Sequence, residues 1–169
     1  MQKPPARQPH PTLTQADKLD YFPGDTDKRI VEPGGSVILW QPYRRFRYLE
    51  KWFDDAKIIA VCNIRRGRRY WQPLIFWTKG KGRLRHHEPN DWIMGNQGSK
   101  AHDKFARLHP CVTAVADARE VIRRFTRGGI IDVFAGTGSI LQAAKLEGRD
   151  YLGVEQSKKY AALAKKRLA

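Results

Sequence analysis

Gly136 and Gly138 lie between an apolar run that reads as a strand, Ile130 to Phe134, and a run that reads as a helix, Ile140 to Glu147. A Gly-x-Gly turn in that position lets the backbone come closer to a ligand than a side chain would allow. Seventeen positions beyond Gly138, closing the next apolar run (Tyr151 to Val154), stands Glu155. A carboxylate at that strand tip can accept both hydroxyls of a ribose. Two neighbouring strand ends would then hold one nucleoside. A lone Gly-x-Gly is weak evidence, and the acidic residue on the next strand is what gives the pattern weight.

What the turn lacks narrows the ligand. A dinucleotide fingerprint, Gly-x-Gly-x-x-Gly, needs a third glycine where this chain has Leu141, and no Gly-Lys-Ser/Thr of a P-loop is present. A nucleoside without a phosphate chain remains, and S-adenosylmethionine (SAM) fits that description.

The elements needed to position this turn are legible around it. Thr113 to Thr126 places Ala118, Val121, Ile122 and Phe125 at helical spacing with Arg119, Arg123 and Arg124 opposite, and Gly128-Gly129 closes it. Gly148 is the expected C-terminal cap of helix 140–147. Ser157 is the expected N-cap of a last helix reaching Leu168. The order from residue 113 is α-β-α-β-α, which implies a parallel sheet with right-handed crossovers. Lys158, Lys159, Lys165, Lys166 and Arg167 read as the exposed face of the last helix.

Upstream, Pro33-Gly34-Gly35 forms a turn before Ser36 to Trp40, a short apolar run that reads as a buried parallel strand. Residues 44–55 carry Phe46, Leu49, Trp52 and Phe53 at helical spacing. Residues 57–63 and 72–77 read as a hairpin with a very basic tip. From Thr78 to Leu108 periodicity disappears, and so long a polar, Gly-rich stretch is a natural substrate loop. Residues 1–28 are a Pro-rich tail, and residues 29–169 form one α/β domain with a five-stranded mixed sheet flanked by helices.

The chain has 32 Lys and Arg against 17 Asp and Glu, a formal charge of +15, so a polyanion is the first partner to consider. Arg65, Arg66, Arg68, Arg69, Lys79, Lys81, Arg83 and Arg85 lead a basic stretch running to Arg107, interleaved with Tyr70, Trp71 and Trp92. Cations that neutralise phosphates and rings that stack on bases are the usual pairing at a nucleic-acid surface. No apolar run approaches the roughly 20 residues that span a bilayer, and the first residues carry no export signal, so a cytoplasmic protein without a membrane partner is expected. Cys62 and Cys111 read as buried thiols, and no His or Cys pair has metal-ligand spacing; no metal is predicted.

At Asp132-Val133-Phe134-Ala135-Gly136-Thr137-Gly138-Ser139, followed by Ala143-Ala144, Gly148 to Glu155, Tyr160 and Ala164 to Leu168, the sequence closely resembles the C-terminal part of bacterial and phage DNA N6-adenine/N4-cytosine methyltransferases. His109-Pro110, Glu32-Pro33-Gly34-Gly35-Ser36 and Phe76-Trp77-Thr78-Lys79 extend the resemblance more loosely to residues 30–169. The resemblance implies a Rossmann-like, SAM-dependent fold and DNA as partner. It assigns Asp132, Phe134, Ala135, Gly136, Thr137 and Gly138 to the SAM turn and Glu155 to the ribose. Residues 78–108 fall where such enzymes carry a target-recognition segment.

The same resemblance exposes a gap. The family's catalytic motif is Asp/Asn/Ser-Pro-Pro-Tyr/Phe/Trp, whose polar residue holds the target amino group while its ring stacks on a flipped base. The only Pro-Pro here is in Lys3-Pro4-Pro5-Ala6, with neither acceptor nor ring, so no catalytic residue is assigned. The central strand that precedes that motif is also missing. Either the sheet closes without it, a second chain supplies it, or the protein is a shortened relative that binds SAM or DNA without methylating.

Overall fold

A computed structural model of the chain describes residues 30–40, 57–65, 68–80, 92–94, 104, 105, 108, 109 and 112–169. The expected tail 1–28, the helix 44–55 and the side chains of Arg66, Lys81, Arg83 and Arg85 lie outside the described residues.

The hairpin forms as strands β2 (Lys57–Arg65) and β3 (Arg68–Thr78), antiparallel from Lys57↔Phe76 to Arg65↔Arg68. It runs further out than its apolar runs suggest, because backbone pairing carries the ladder into the basic tip once the register is set. β1 (Ser36–Trp40) pairs antiparallel with β3, Ser36↔Thr78 to Trp40↔Leu74. This corrects the expectation of a buried parallel strand: of its five residues only Val37 is fully buried. An apolar run carries no direction, and here the turn decides it. The Gly34 N–H donates to the Lys79 carbonyl at 2.8 Å, and the Lys79 N–H donates to the Gly35 carbonyl at 3.0 Å. A fourth strand, β4 (Trp92–Met94), pairs parallel with β2 inside the stretch expected to be irregular. Three residues are too few to register as a period. The sheet order is β1-β3-β2-β4.

The C-terminal alternation forms as expected: α1 (Val115–Phe125), β5 (Ile130–Asp132), α2 (Ser139–Leu146), β6 (Tyr151–Gly153) and α3 (Lys158–Leu168). β5 and β6 are parallel, Ile130↔Tyr151 to Asp132↔Gly153. Gly148 ends α2 with φ +65°, and the Ser157 side chain caps α3 by accepting the Tyr160 N–H at 3.4 Å. The class is α/β, but the strands do not join one five-stranded sheet. They divide into the four-stranded sheet and the separate parallel pair, and a cleft of about 740 Å³ lies between β1 and β5.

α1 holds the two sheets together because its apolar stripe is wide enough to serve both. Val121 and Phe125 pack with Leu74, Phe76 and Ile93 of the larger sheet, the Phe76 and Phe125 ring centroids 5.9 Å apart. Ala118 and Ile122 pack against Ala143 and Ala144 of α2, with Ile130 of β5 alongside. Small residues on both helices let them come close, and truncating a buried ring such as Phe125 would cost about 3–5 kcal/mol. Arg119 and Arg123 both bond the Glu147 carboxylate, at 2.6 and 2.7 Å, fastening α1 to the end of α2. These bonds hold the Glu147 carboxyl below its usual range.

Candidate cofactor site

The chain leaves β5 at Asp132, crosses to β6 and enters α2 through the glycine turn. The Val154 N–H donates to the Asp132 carbonyl at 2.8 Å, and the Ala135 N–H donates to the Val154 carbonyl at 2.9 Å. The turn is thus stitched to the strand that presents Glu155. Asp132 Oδ1 accepts the Phe134 N–H at 3.1 Å. Burial pushes the Asp132 carboxyl above its usual range, opposed by that N–H and reinforced by the charge of Glu155.

Both glycines adopt left-handed backbone, Gly136 at φ +53° and Gly138 at φ +77°, where a side chain is strained. Gly138 is also the N-cap of α2. A Cβ there would lie 3.1 Å from the Ala164 Cβ and 3.2 Å from its Cα, so this glycine lets α3 pack against the turn. At Gly136 a Cβ would sit 3.7 Å from the His109 ring. That ring meets Tyr160 of α3 edge-on, with centroids 4.5 Å apart.

Glu155 closes the turn. Its Oε2 accepts the Gly136 N–H at 2.8 Å and its Oε1 accepts the Ser157 N–H at 2.7 Å. A carboxylate has about four acceptor positions, so two backbone donors fix it in place and leave capacity for two hydroxyls. The pairing of Gly136 with Glu155 expected from spacing is therefore a direct contact.

The remaining residues assigned to the turn divide by exposure. Phe134 is 70% exposed at the mouth of the site. Ala135 and Thr137 are buried and shape the turn from behind. The Thr137 hydroxyl accepts from the Arg167 guanidinium at 3.4 Å, and Arg167 also donates to Gln142 Oε1 at 3.0 Å. Its guanidinium lies 4.4 Å from the centroid of Phe105. Arg167 is only 8% exposed, which corrects its reading as part of the solvated face of α3. Charge counting missed it, but Tyr160, Ala164 and Arg167 recur at helical spacing, and that stripe is the face turned toward the site.

Of the basic residues expected at a nucleic-acid surface, Arg65 and Arg68 are paired positions flanking the hairpin tip, with Arg69 one step inward. Lys79 stands apart from them: its ammonium donates to the Val31 carbonyl at 2.8 Å, bracing the turn before β1. Among the described residues no cluster of three or more His, Cys, Asp or Glu could hold a metal, and no helix is long and apolar enough to cross a membrane.

The fold is that of solved DNA methyltransferases. The M1.HpyAVI–SAM complex superposes with a TM-score of 0.68 at 21% identity, covering 95% of this chain and 85% of that one. The PvuII DNA methyltransferase (cytosine-N4-specific) gives 0.64 at 16% identity, covering 98% and 77%. In sequence, the orphan methyltransferase M.BamHII of Bacillus amyloliquefaciens is 31% identical over 99 residues, 51% of this chain and 37% of that relative. The chain thus spans little more than a third of the curated relative it matches. The DNA methylase family model matches residues 68–166, more than half the chain and the whole of the glycine turn with its acidic partner, and on that match the chain belongs to the N6/N4 DNA methylase family.

Proposed function

We propose that this chain binds SAM at the Gly136–Glu155 turn and serves methyl transfer to an exocyclic amino group of adenine or cytosine in DNA. The observation that carries the reading is the 2.8 Å bond between the Gly136 N–H and Glu155, which brings backbone and carboxylate together at adjacent parallel strand ends. The residues suit the cofactor. Glu155 keeps acceptor capacity for a ribose, Gly136 offers a surface without a Cβ, and exposed Phe134 supplies an apolar flank. When bound, SAM supplies a sulfonium-activated methyl group, and attack by an amine needs alignment more than acid-base power. Asp132, Ala135, Thr137 and Gly138 support the turn without reaching the ligand.

DNA is the proposed substrate, held by Arg65, Arg66, Arg68, Arg69, Lys81, Arg83 and Arg85. Residues 78–108 serve as the target-recognition segment of the domain 29–169, and the setting is the cytoplasm. Asp-Pro-Pro-Tyr chemistry is absent from the chain, so the proposal includes a second polypeptide that contributes it. That absence also favours a second reading, a SAM- and DNA-binding subunit without transfer activity.

Titration of SAM into the chain tests the site. Saturable heat is expected, and it should fall at least about tenfold in affinity in Gly136→Val, where a β-branched residue is forced into left-handed backbone. Unchanged binding in that variant would overturn the site. Transfer of a labelled methyl group to DNA then separates the enzyme from the binding subunit.

A further inference from the structure

The cleft between the sheets touches consecutive residues on both walls: Ser36 to Trp40 of β1 and Ile130 to Asp132 of β5. Neighbouring residues of a strand point to opposite faces. A cleft that meets each of them in turn therefore runs along strand edges and not across a sheet face. Among the described residues β1 pairs only with β3, and β5 only with β6. The Ile130 N–H and the Asp132 carbonyl bond toward the β6 side, so by alternation the Ile131 N–H and carbonyl face the cleft. Two open edges confront each other.

The space has the size of a strand. A residue in a sheet advances about 3.3 Å, lies about 4.8 Å from its neighbours and fills about 10 Å of thickness, or about 160 Å³. The cleft of about 740 Å³ admits about five such residues, the length of β1. A second observation agrees: Ile131, Leu152 and Val154 are 51%, 59% and 52% exposed, although parallel sheets are ordinarily covered on both faces.

A strand buried there would read as a continuous apolar run. The undescribed segments of this chain contain no three consecutive apolar residues, so they do not supply it. We propose that the cleft is the docking slot for one apolar strand of a second polypeptide, about five residues long, which enters between β1 and β5 and runs parallel to β5. The proposal rests on the methyltransferase reading in one respect only: a parallel strand ends beside Phe134, so the residues that follow it would deliver the missing polar-Pro-Pro-aromatic tetrapeptide to the cofactor turn.

The test uses the full chain and a synthetic, dye-labelled peptide of two lysines, five alternating valines and isoleucines, and Asp-Pro-Pro-Tyr. Saturable binding is expected, with amide exchange at residues 36–40 and 130–132 slowed at least about tenfold. A control peptide with prolines at its second and fourth strand positions loses ladder donors and should bind at least about tenfold more weakly. Ile131→Lys, at a half-exposed side chain, should keep its circular dichroism and lose peptide affinity to a similar degree. Equal binding of both peptides, or protection appearing at residues 92–94 instead, would overturn the slot. So would a homodimer that protects residues 36–40 without peptide. SAM titration on the same samples keeps the two readings apart. Peptide binding without SAM binding sinks the cofactor site alone, and the reverse sinks the slot alone.

Discussion

The Arg167 guanidinium donates to the Thr137 hydroxyl at 3.4 Å and so ties the last turn of α3 to the inner side of the glycine turn. With Gln142 and the Phe105 ring also engaged, this one side chain joins α2, α3 and the segment before α1. Arg167→Ala should therefore destabilise the fold by about 1–3 kcal/mol, the range for losing charge-assisted hydrogen bonds and a partly desolvated cation–π contact. Arg167→Lys should not restore it, because an ammonium cannot reproduce a planar fork lying over a ring. Urea midpoints of the three proteins check both statements, and a lysine variant as stable as the parent would contradict the second.

Glu155→Gln probes the ribose grip. The amide has one acceptor oxygen where the carboxylate has two, so either the Gly136 or the Ser157 N–H loses its partner. Hydrogen bonds to a charged group contribute about 1.5–3 kcal/mol, which predicts a loss of about ten- to a hundredfold in SAM affinity. Calorimetric titration measures it directly. An affinity equal to the parent's would remove Glu155 from the site.

Gly138 and Gly148 share left-handed backbone, at φ +77° and +65°, but differ in surroundings. An added Cβ at Gly148 meets nothing within 4 Å, whereas at Gly138 it crowds the Ala164 backbone at 3.2 Å. Gly148→Ala should cost about 1–2 kcal/mol through backbone strain alone. Gly138→Ala should cost more, by about a further 1–2 kcal/mol of overpacking, and should lower SAM affinity as α3 shifts. Thermal melts rank the pair, and the reverse order would contradict the close approach of α3.

Two carboxyls make opposite predictions about acid. Glu147 is held below its model value of 4.5, first by its bond to Arg123. Its contribution is present above the unfolded value and is lost as pH falls through the lower folded value. Asp132 is raised above 3.8, first by burial, so ionising it weakens the fold as pH climbs through its folded value. Glu147→Gln should flatten the acid limb of a stability–pH curve. Asp132→Asn, which keeps an oxygen for the Phe134 N–H, should raise stability near neutrality by up to about 1 kcal/mol, the order of one net hydrogen-bond adjustment. Denaturation series from pH 3 to pH 8 would expose either sign as wrong.

The C-terminal third was legible because each of its signals is local. Gly136, Gly138 and Gly148 mark backbone needs, Ser157 marks a cap, and the distance to Glu155 spans one helix and one strand. What escaped depends on contacts remote in sequence. The direction of β1 is set by hydrogen bonds between Gly34, Gly35 and Lys79, and the pairing of Trp92 to Met94 by an edge of β2. Arg167 looks like its lysine neighbours until Phe105 and Thr137 are placed beside it. The division into two sheets was half visible: the missing strand could be inferred from resemblance, but not that its place stays open.

Because α1 lends one flank to the larger sheet and the other to the parallel pair, the two halves have no independent route to melting. Loosening either strips apolar cover from the same eleven-residue helix, which then has less reason to remain ordered for the other. A single sharp transition on heating follows, with calorimetric and van't Hoff enthalpies in agreement despite the divided sheet.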